Sequence, residues 1–245
     1  MKYYKLILIL LIFSGCDVST LSDEDTKNIS KLKVNILIQD GTKDQSLNLI
    51  KVNLTDGEKQ IINEKIKILL NGKPLELFVR TGNYYDKTSY YATDDLLRSE
   101  SYYFEIILPD SSNYPLAYIK PNKIPTEFNF PKNISINKDF ILKWTKLNTP
   151  FEFEYIKGVE YERETGQADN VTRSGYDGKR IDTLTSKVGE YIIPKSYFIV
   201  SKQRTKWLRA TLSSKEAGLI NPNLFKNSSI TYNYTIEKII DVKEE

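Results

Sequence analysis

The sequence predicts an all-β protein with two tandem sandwich domains behind a leader and a flexible tether. Three observations support this class. Apolar and polar residues alternate with a period of two in many short segments, turn-forming residues separate those segments, and no long segment has the period of an amphipathic helix. Alternation of this kind is typical of strands that bury one face.

The first two predicted strands lie shortly after residue 31. Residues 32–38 alternate cleanly before a turn at Asp40-Gly41, and residues 49–54 alternate less strictly before a second turn. Because Gly and Asp favour turn conformations, these dipeptides are interpreted as strand ends rather than as ligand sites.

A hairpin is predicted next. Residues 66–70 and 75–79 both alternate, and Asn71-Gly72 joins them. Both central positions of a type I′ turn need positive φ, which Asn and Gly adopt most readily. The apolar residues within 58–69 also suit a helix, but the turns on both sides favour strands.

An aromatic strand follows at residues 102–108, with a turn after it and a further strand at 116–119. Leu96 lies six residues before Tyr102. This spacing resembles the corner between strands E and F of fibronectin type III and related immunoglobulin-like domains. In those domains a Tyr hydroxyl caps the corner.

The second half of the chain begins at a proline-rich segment, where we place a domain boundary near residues 120–125. Lys157-Gly158 is interpreted as a turn. The strand that ends in Trp144 resembles strand B of fibronectin-like domains, which ends in a buried Trp. The predicted strands of this half are residues 128–130, 134–136, 140–144, 151–155, 159–161, 189–193, 197–200, 207–212 and 230–242.

These elements predict two immunoglobulin-like β-sandwiches, residues 32–122 and 123–245, of the fibronectin type III-like variant that needs no disulfide. A single larger sandwich is the alternative. No repeat of fixed period relates the two halves.

The N-terminus has the features of an export signal. Residues 1–5 are basic, residues 6–13 form an apolar run of eight, and Ser14-Gly15-Cys16 follows. Eight residues suit a signal peptide and are far short of the roughly 20 that span a bilayer as a helix. The segment resembles the lipobox of bacterial lipoproteins. That resemblance implies cleavage of leader 1–15, a diacylglycerol on the Cys16 thiol and an acylated amine.

Two or more acyl chains anchor a protein stably, so the resemblance implies a lipid-bilayer partner and an outer-membrane location after export by the general secretory route. The match departs from the family at Phe13, where Leu is usual. Residues 16–31 are polar and predict a flexible acidic tether. Its acidic run, 22–25, resembles the export signal of some surface lipoproteins, so the surface and the periplasmic face both remain open.

Composition excludes several mechanisms. The 245 residues contain no His, one Cys and one Met, so no His-based nucleophile system, imidazole metal site or intrachain disulfide can form. We expect no cofactor and no metal. Removal of the leader lowers Lys+Arg from 35 to 33 against 32 Asp+Glu, which leaves no basic footprint for nucleic acid. No phosphate-binding glycine motif or dense calcium-loop pattern occurs, so a nucleotide is not expected.

An aromatic and acidic patch is the speculative ligand site of the sequence. It consists of Tyr84, Tyr85, Tyr90, Tyr91 and Asp94. Aromatic rings stack on the C–H faces of sugars, and carboxylates accept hydroxyl protons, so this chemistry suits a glycan. The alternative is that these Tyr residues flank edge strands with their hydroxyls in water.

Residues 160–187 are the least core-like part of the body and are interpreted as a hairpin with a long loop. They contain Glu162 and Glu164, which share a strand face if the segment is extended. A glycosidase needs two opposed carboxylates, and a carboxylate-based hydrolase would take its acids from residues 160–182. The preferred interpretation is the solvated hairpin and loop. The other charged residues are Glu160, Asp169, Arg173, Asp177, Arg180 and Asp182.

Three functions fit these features. The first is a membrane-anchored, non-enzymatic envelope lipoprotein that binds a glycan, a peptide or a partner protein. The second is a carboxylate-based glycan hydrolase. The third is a spacer or assembly subunit, for which residues 230–242 would offer an exposed edge strand. Without His or a catalytic thiol, binding is favoured over catalysis.

We expect Cys16→Ala to move the protein from the membrane fraction to the soluble fraction, because the acyl chains attach to that thiol. The measurement is fractionation with metabolic palmitate labelling, and Ser19→Ala is the matched control. Retention of Cys16→Ala in the membrane would contradict the anchor.

Overall fold

The structure is a computed structural model that is almost entirely β. The described residues contain no α-helix, which confirms the predicted fold class. Three short 3-10 turns occur, at Asp25–Lys27, Ile29–Lys31 and Lys195–Tyr197. The described residues are 25–41, 48–57, 59–81, 87–93, 99–122, 127–161 and 174–244.

Seventeen strands are described, numbered in chain order. The first eight are β1 Lys33–Gly41, β2 Leu49–Thr55, β3 Lys67–Leu70, β4 Lys73–Pro74, β5 Glu76–Thr81, β6 Lys87–Thr93, β7 Tyr102–Ile107 and β8 Asn113–Ile119. The others are β9 Phe128–Asn129, β10 Asn133–Ser135, β11 Phe140–Trp144, β12 Phe151–Tyr161, β13 Ser174–Leu184, β14 Gly189–Ile193, β15 Gln203–Ala217, β16 Leu219–Ile220 and β17 Ser229–Lys243.

The chain divides into two compact units. Among the described residues, the first unit takes those of Met1–Ile38, Leu49–Lys120 and Ala217–Thr231, and the second takes those of Gln39–Asn48, Pro121–Glu216 and Tyr232–Glu245. The division between residues 120 and 121 lies beside the expected boundary. The expected limits, 32–122 and 123–245, assign two segments to the wrong unit. Residues 217–231 belong to the first unit and the described residues of 39–48 to the second. Strand pairing between residues far apart in the sequence determines where these segments lie, so a local pattern does not predict it.

The first unit has two sheets, ordered β1-β2-β6-β5 and β16-β8-β7-β3-β4. Burial alternates along β1, where Val34, Ile36 and Ile38 point inward, and along β7, where Phe104 and Ile106 do so. The buried faces of both sheets are apolar, and the sheets have a sandwich-like arrangement.

The predicted turn at Asn71-Gly72 is confirmed, but the predicted pairing of residues 66–70 with 75–79 is wrong, because across this turn β3 pairs with Lys73–Pro74 and β5 pairs with β6 instead. Leu70 pairs with Lys73, and the two loop residues have φ of 47° and 77°. These are the positive φ values of a type I′ turn. Residues 58–69 form no helix where they are described, so the interpretation as strand and turn is also correct.

The second unit has a sheet ordered β13-β12-β15-β17 and a three-stranded sheet ordered β14-β11-β9. Its core takes alternate residues from both, including Phe140, Leu142 and Trp144 of β11. The core also contains Ile134, Leu147, Phe151, Phe153, Tyr155, Leu184, Ile193, Phe198, Leu208, Ala210, Leu212, Ile236, Ile240 and Val242.

The expected hairpin within residues 160–187 is present, since β13 pairs antiparallel with β12 along most of its length. Two other local expectations for this unit are wrong. Lys157-Gly158 is not a turn, since β12 continues through it to Tyr161. Residues 197–200 form no strand, because a 3-10 turn ends at Tyr197 and only an isolated bridge follows at Val200.

Two further expectations need correction. The C-terminal strand β17 is not a free edge, because β15 and β1 flank it and β10 pairs in parallel with its last residues, 241–243. Residues 25–31, expected in the tether, form 3-10 turns in which Thr26 and Ile29 are buried. The rest of the tether and the leader lie outside the described residues.

No helix among the described residues is both long and apolar enough to cross a bilayer.

Gly189→Ala should destabilise the second unit by about 1–3 kcal/mol, the usual cost of forcing extra volume into a packed site. A Cβ at Gly189 would lie 2.6 Å from Cζ2 of Trp144. The indole cannot slide freely, because its Nε1 donates a 2.8 Å hydrogen bond to the carbonyl oxygen of Ser186. Urea denaturation measures the loss. Val188→Ala, at a side chain that is 65% exposed, is the control, and equal stability of the two variants would contradict the argument.

Candidate functional site

Two aromatic side chains and a glycine form one row across three strands of the second unit. Gly158 of β12 lies opposite Trp207 of β15 on one side and opposite Tyr176 of β13 on the other. Directly opposed residues point to the same face of a sheet. We refer to Gly158, Tyr176 and Trp207 as the aromatic platform.

The indole of Trp207 lies directly on the backbone of Gly158. A Cβ at Gly158 would be 2.1 Å from the indole Cε2 and 2.4 Å from Cζ2, far inside van der Waals contact. The register between β12 and β15 also shifts between Gly158 and Val159. A register shift of this kind is a β-bulge, which changes the direction of the side chains beside it. Here the bulge lies next to the contact between the indole and Gly158.

Tyr176 completes the platform. Its ring meets the edge of Trp207 at a centroid distance of 5.5 Å and an interplanar angle of 70°, and the residue is 64% exposed. The guanidinium carbon of Arg209 lies 5.5 Å from the centroid of the Tyr176 ring. This distance is within the range of a cation–π contact, so Arg209 stands beside the platform.

The platform borders a pocket of about 310 Å³. A polar rim accompanies the rings, since Lys206 Nζ pairs with Glu160 Oε2 at 3.4 Å. The site therefore combines two aromatic rings with charged and hydroxyl groups at the surface of a sheet. The pocket is lined by Gly158, Val159, Glu160, Ser174, Gly175, Tyr176, Lys206 and Trp207.

A buried lysine supports the platform from the opposite face of β12. Lys157 has a side chain that is only 3% exposed, and its Nζ donates a 2.9 Å hydrogen bond to the carbonyl oxygen of Tyr197. The same Nζ lies 3.4 Å from Oδ2 of Asp177 and 5.1 Å from the centroid of the Tyr197 ring. Because a buried charge needs such partners, Lys157 ties β12, β13 and the 3-10 turn together.

Tyr197 is fixed from both ends. Its hydroxyl donates a 2.7 Å hydrogen bond to the carbonyl oxygen of Gly178, while its own carbonyl accepts from Lys157. Burial raises the pKa of the Tyr197 hydroxyl well above its ordinary value. The ring therefore stays neutral and donates its proton over the physiological pH range.

The predicted patch does not form one surface among the residues that the structure describes. Tyr90 and Tyr91 are neighbours on β6, so their side chains point to opposite faces. Tyr91 is 3% exposed, its hydroxyl donates a 3.1 Å hydrogen bond to the carbonyl oxygen of Ile66, and burial raises its pKa. Tyr91 therefore belongs to the core, which corrects its expected role in binding.

Tyr90 is half-buried and already has aromatic and cationic partners. Its ring stacks on Phe78 at a centroid distance of 5.6 Å and an angle of 17°, and Lys51 Nζ lies 4.3 Å from the ring centroid. These contacts account for Tyr90 without a ligand. The remaining predicted site residues, Tyr84, Tyr85, Asp94 and the lipidation residue Cys16, lie outside the described residues.

The described carboxylates of the 160–187 stretch have protein partners. Glu160 pairs with Lys206, Asp177 pairs with Lys157, and Asp182 accepts a hydrogen bond from the backbone N–H of Thr183. Within the described ranges no group of three or more potential ligand side chains could hold a metal ion. The other charged residues named in the sequence analysis, Glu162, Glu164, Asp169 and Arg173, lie outside those ranges.

The sequence does not predict the platform, because Lys157-Gly158 has the local pattern of a turn. A local signal did exist in β15. Leu208, Ala210 and Leu212 are the buried residues of that strand, so Trp207 and Arg209 must point to the other face. A Trp on the polar face of an alternating strand indicates a surface function or a special packing partner.

No family model matches the chain, and no curated protein matches it. Among solved structures, a cytokine receptor complex matches with 8% identity and a TM-score of 0.23, over 72% of this chain and 89% of the other. SGBP-B of the Bacteroides ovatus mixed-linkage glucan utilization locus, in complex with a mixed-linkage heptasaccharide, matches with 11% identity and a TM-score of 0.25. That match covers 85% of this chain and 43% of the other, so this chain spans less than half the length of SGBP-B.

Gly158→Ala should destabilise the protein by about 1–3 kcal/mol, because the new methyl group and the indole of Trp207 cannot occupy the same space. The decisive measurement is a double-mutant cycle by urea denaturation. In a Trp207→Ala background the same substitution should cost much less, since the ring that it meets is gone. An equal cost of Gly158→Ala in both backgrounds would contradict the contact.

Proposed function

We propose that this protein is a non-enzymatic, lipid-anchored envelope protein whose second unit binds a carbohydrate on the aromatic platform. The observation that carries the proposal is the Trp207 indole seated on Gly158 with Tyr176 at its edge. A Trp placed on the outward face of a strand, beside a second exposed ring, has no role in the core of its own sheet.

The chemistry of the platform suits a sugar. The apolar C–H face of a pyranose packs on an aromatic ring, while its hydroxyls need hydrogen-bond partners at the margin. Glu160, Lys206 and Ser174 supply acceptors and donors around the pocket. Because the site lies on a strand surface, it suits a unit within an extended chain, and long glycans have that shape.

The ion pairs of the neighbouring carboxylates support binding without hydrolysis. A glycosidase needs one carboxylic acid that carries a proton and a second carboxylate across the scissile bond. Glu160 and Asp177 instead each pair with a lysine, Lys206 and Lys157 respectively, at 3.4 Å. Carboxylates held in ion pairs with neighbouring side chains serve the packing of the strands, and this supports a binding role.

The lipid anchor at Cys16 is part of the same proposal. Acyl chains on that thiol would hold the body of the protein at the outer membrane, where glycans are met at the surface or in the periplasm. The anchor raises the local concentration of binding sites on the membrane. Such an arrangement suits capture of a polymer more than release of a product.

The proposal is tested with an array of neutral and acidic oligosaccharides, followed by calorimetry on each one that binds. Trp207→Ala should weaken binding about tenfold or more, which corresponds to at least about 1.4 kcal/mol, because the stacking surface is lost. Tyr118→Ala is the matched control. Tyr118 is an exposed aromatic residue on β8 of the first unit, and its removal should leave binding unchanged.

Two results would overturn the proposal. Failure of every oligosaccharide to bind the folded protein would exclude a carbohydrate ligand. Loss of binding in Tyr118→Ala with none in Trp207→Ala would place the site in the first unit, where Tyr118 borders another pocket with Tyr103 and Leu219.

A further inference from the structure

The charges around the platform are mostly neutralised by one another. Lys206 pairs with Glu160 at 3.4 Å, and Lys179 pairs with Glu154 at 2.8 Å. Lys157 is bound to Asp177, as described above. Arg204, further along β15, pairs with Glu244 at 2.6 Å.

Arg209 is the exception on this face. Among the described residues it has no carboxylate partner, and its guanidinium contacts only the ring of Tyr176, at 5.5 Å. The cation–π contact orients the group but does not neutralise its charge. A guanidinium has five N–H donors in a planar fork, and this fork matches the two oxygens of a carboxylate.

The position of Arg209 relates it to Trp207. The two residues are separated by one position on β15 and point to the same face, so their Cα atoms are about 7 Å apart along the strand. A ring stacked on the indole therefore has its edge near the guanidinium. A carboxylate on the edge of the sugar ring would compensate the positive charge of the Arg209 guanidinium. A hydroxyl group at the same position would not.

We propose that the platform selects an acidic sugar, a uronic acid residue whose carboxylate is bound by Arg209 while its ring stacks on Trp207. The inference rests on the proposed function, since it names the class of saccharide taken by the same site. Charge complementarity at one arginine is what separates this ligand from a neutral sugar.

The experiment uses the mature full chain and three probes, the tetrasaccharides of galacturonate, glucuronate and mannuronate. Each is paired with its methyl ester, which has nearly the same shape and no charge. At least one acid should bind about tenfold more tightly than its ester, and the ratio should fall as salt is raised because the pair is near the surface.

Arg209→Gln should abolish this preference while the binding of the ester persists, which also shows that the variant is folded. Trp207→Ala should weaken acid and ester alike. Lys179→Gln is the matched control, since that lysine is already paired with Glu154, and it should leave the preference intact.

Equal binding of every acid and its ester would overturn the inference, as would a preference that survives Arg209→Gln. In that case binding of the esters or of neutral oligosaccharides that depends on Trp207 would still support carbohydrate binding at the platform. Failure of all saccharides to bind would instead contradict the proposed function itself.

Discussion

The lack of a side chain at Gly158 is the constraint on which the exposed sheet face of the second unit depends. The indole of Trp207 occupies the volume that any Cβ at this position would need. In this position the indole of Trp207 on β15 contacts the ring of Tyr176 on β13, so the two rings lie across the three strands β15, β12 and β13. Any other residue at position 158 would push the indole out and separate the rings. The arrangement of the aromatic platform is therefore a consequence of strand register and of the absent side chain at Gly158.

The neighbouring Lys157 imposes a second constraint, on the inner side of the same strand. Its ammonium group is buried, and an unpaired buried charge would cost several kcal/mol. The carbonyl oxygen of Tyr197 and the carboxylate of Asp177 compensate it, so the 3-10 turn and β13 must both stay in place. Tyr197 in turn donates to the carbonyl of Gly178 on β13. Polar contacts on the buried face of β12 therefore fix its backbone at the position where the platform lies on its exposed face.

Comparison of two X-Gly dipeptides shows why the fold was predictable from the sequence and the site was not. Asn71-Gly72 forms the predicted turn because both residues adopt positive φ locally, whatever lies elsewhere in the chain. Lys157-Gly158 resembles a turn in sequence but continues a strand, because the lysine finds buried partners and the glycine receives Trp207. Those partners are about 20 to 50 residues away. Alternation predicts strands from neighbouring residues, whereas the row of the platform depends on register between strands, which no local pattern contains.

The same packing explains how a surface site can be ready for a ligand. An exposed Trp or Tyr that is free to rotate loses conformational entropy when a ligand fixes it, and this loss weakens binding. Here the glycine backbone lies directly under the indole, the edge of the indole meets Tyr176, and Arg209 lies against the Tyr176 ring. Each of these contacts restricts the rotation of the neighbouring side chain in the absence of a ligand. The contacts that order the rings would therefore also reduce the entropic cost of binding the proposed ligand, and the guanidinium of Arg209 would add discrimination by charge to discrimination by shape.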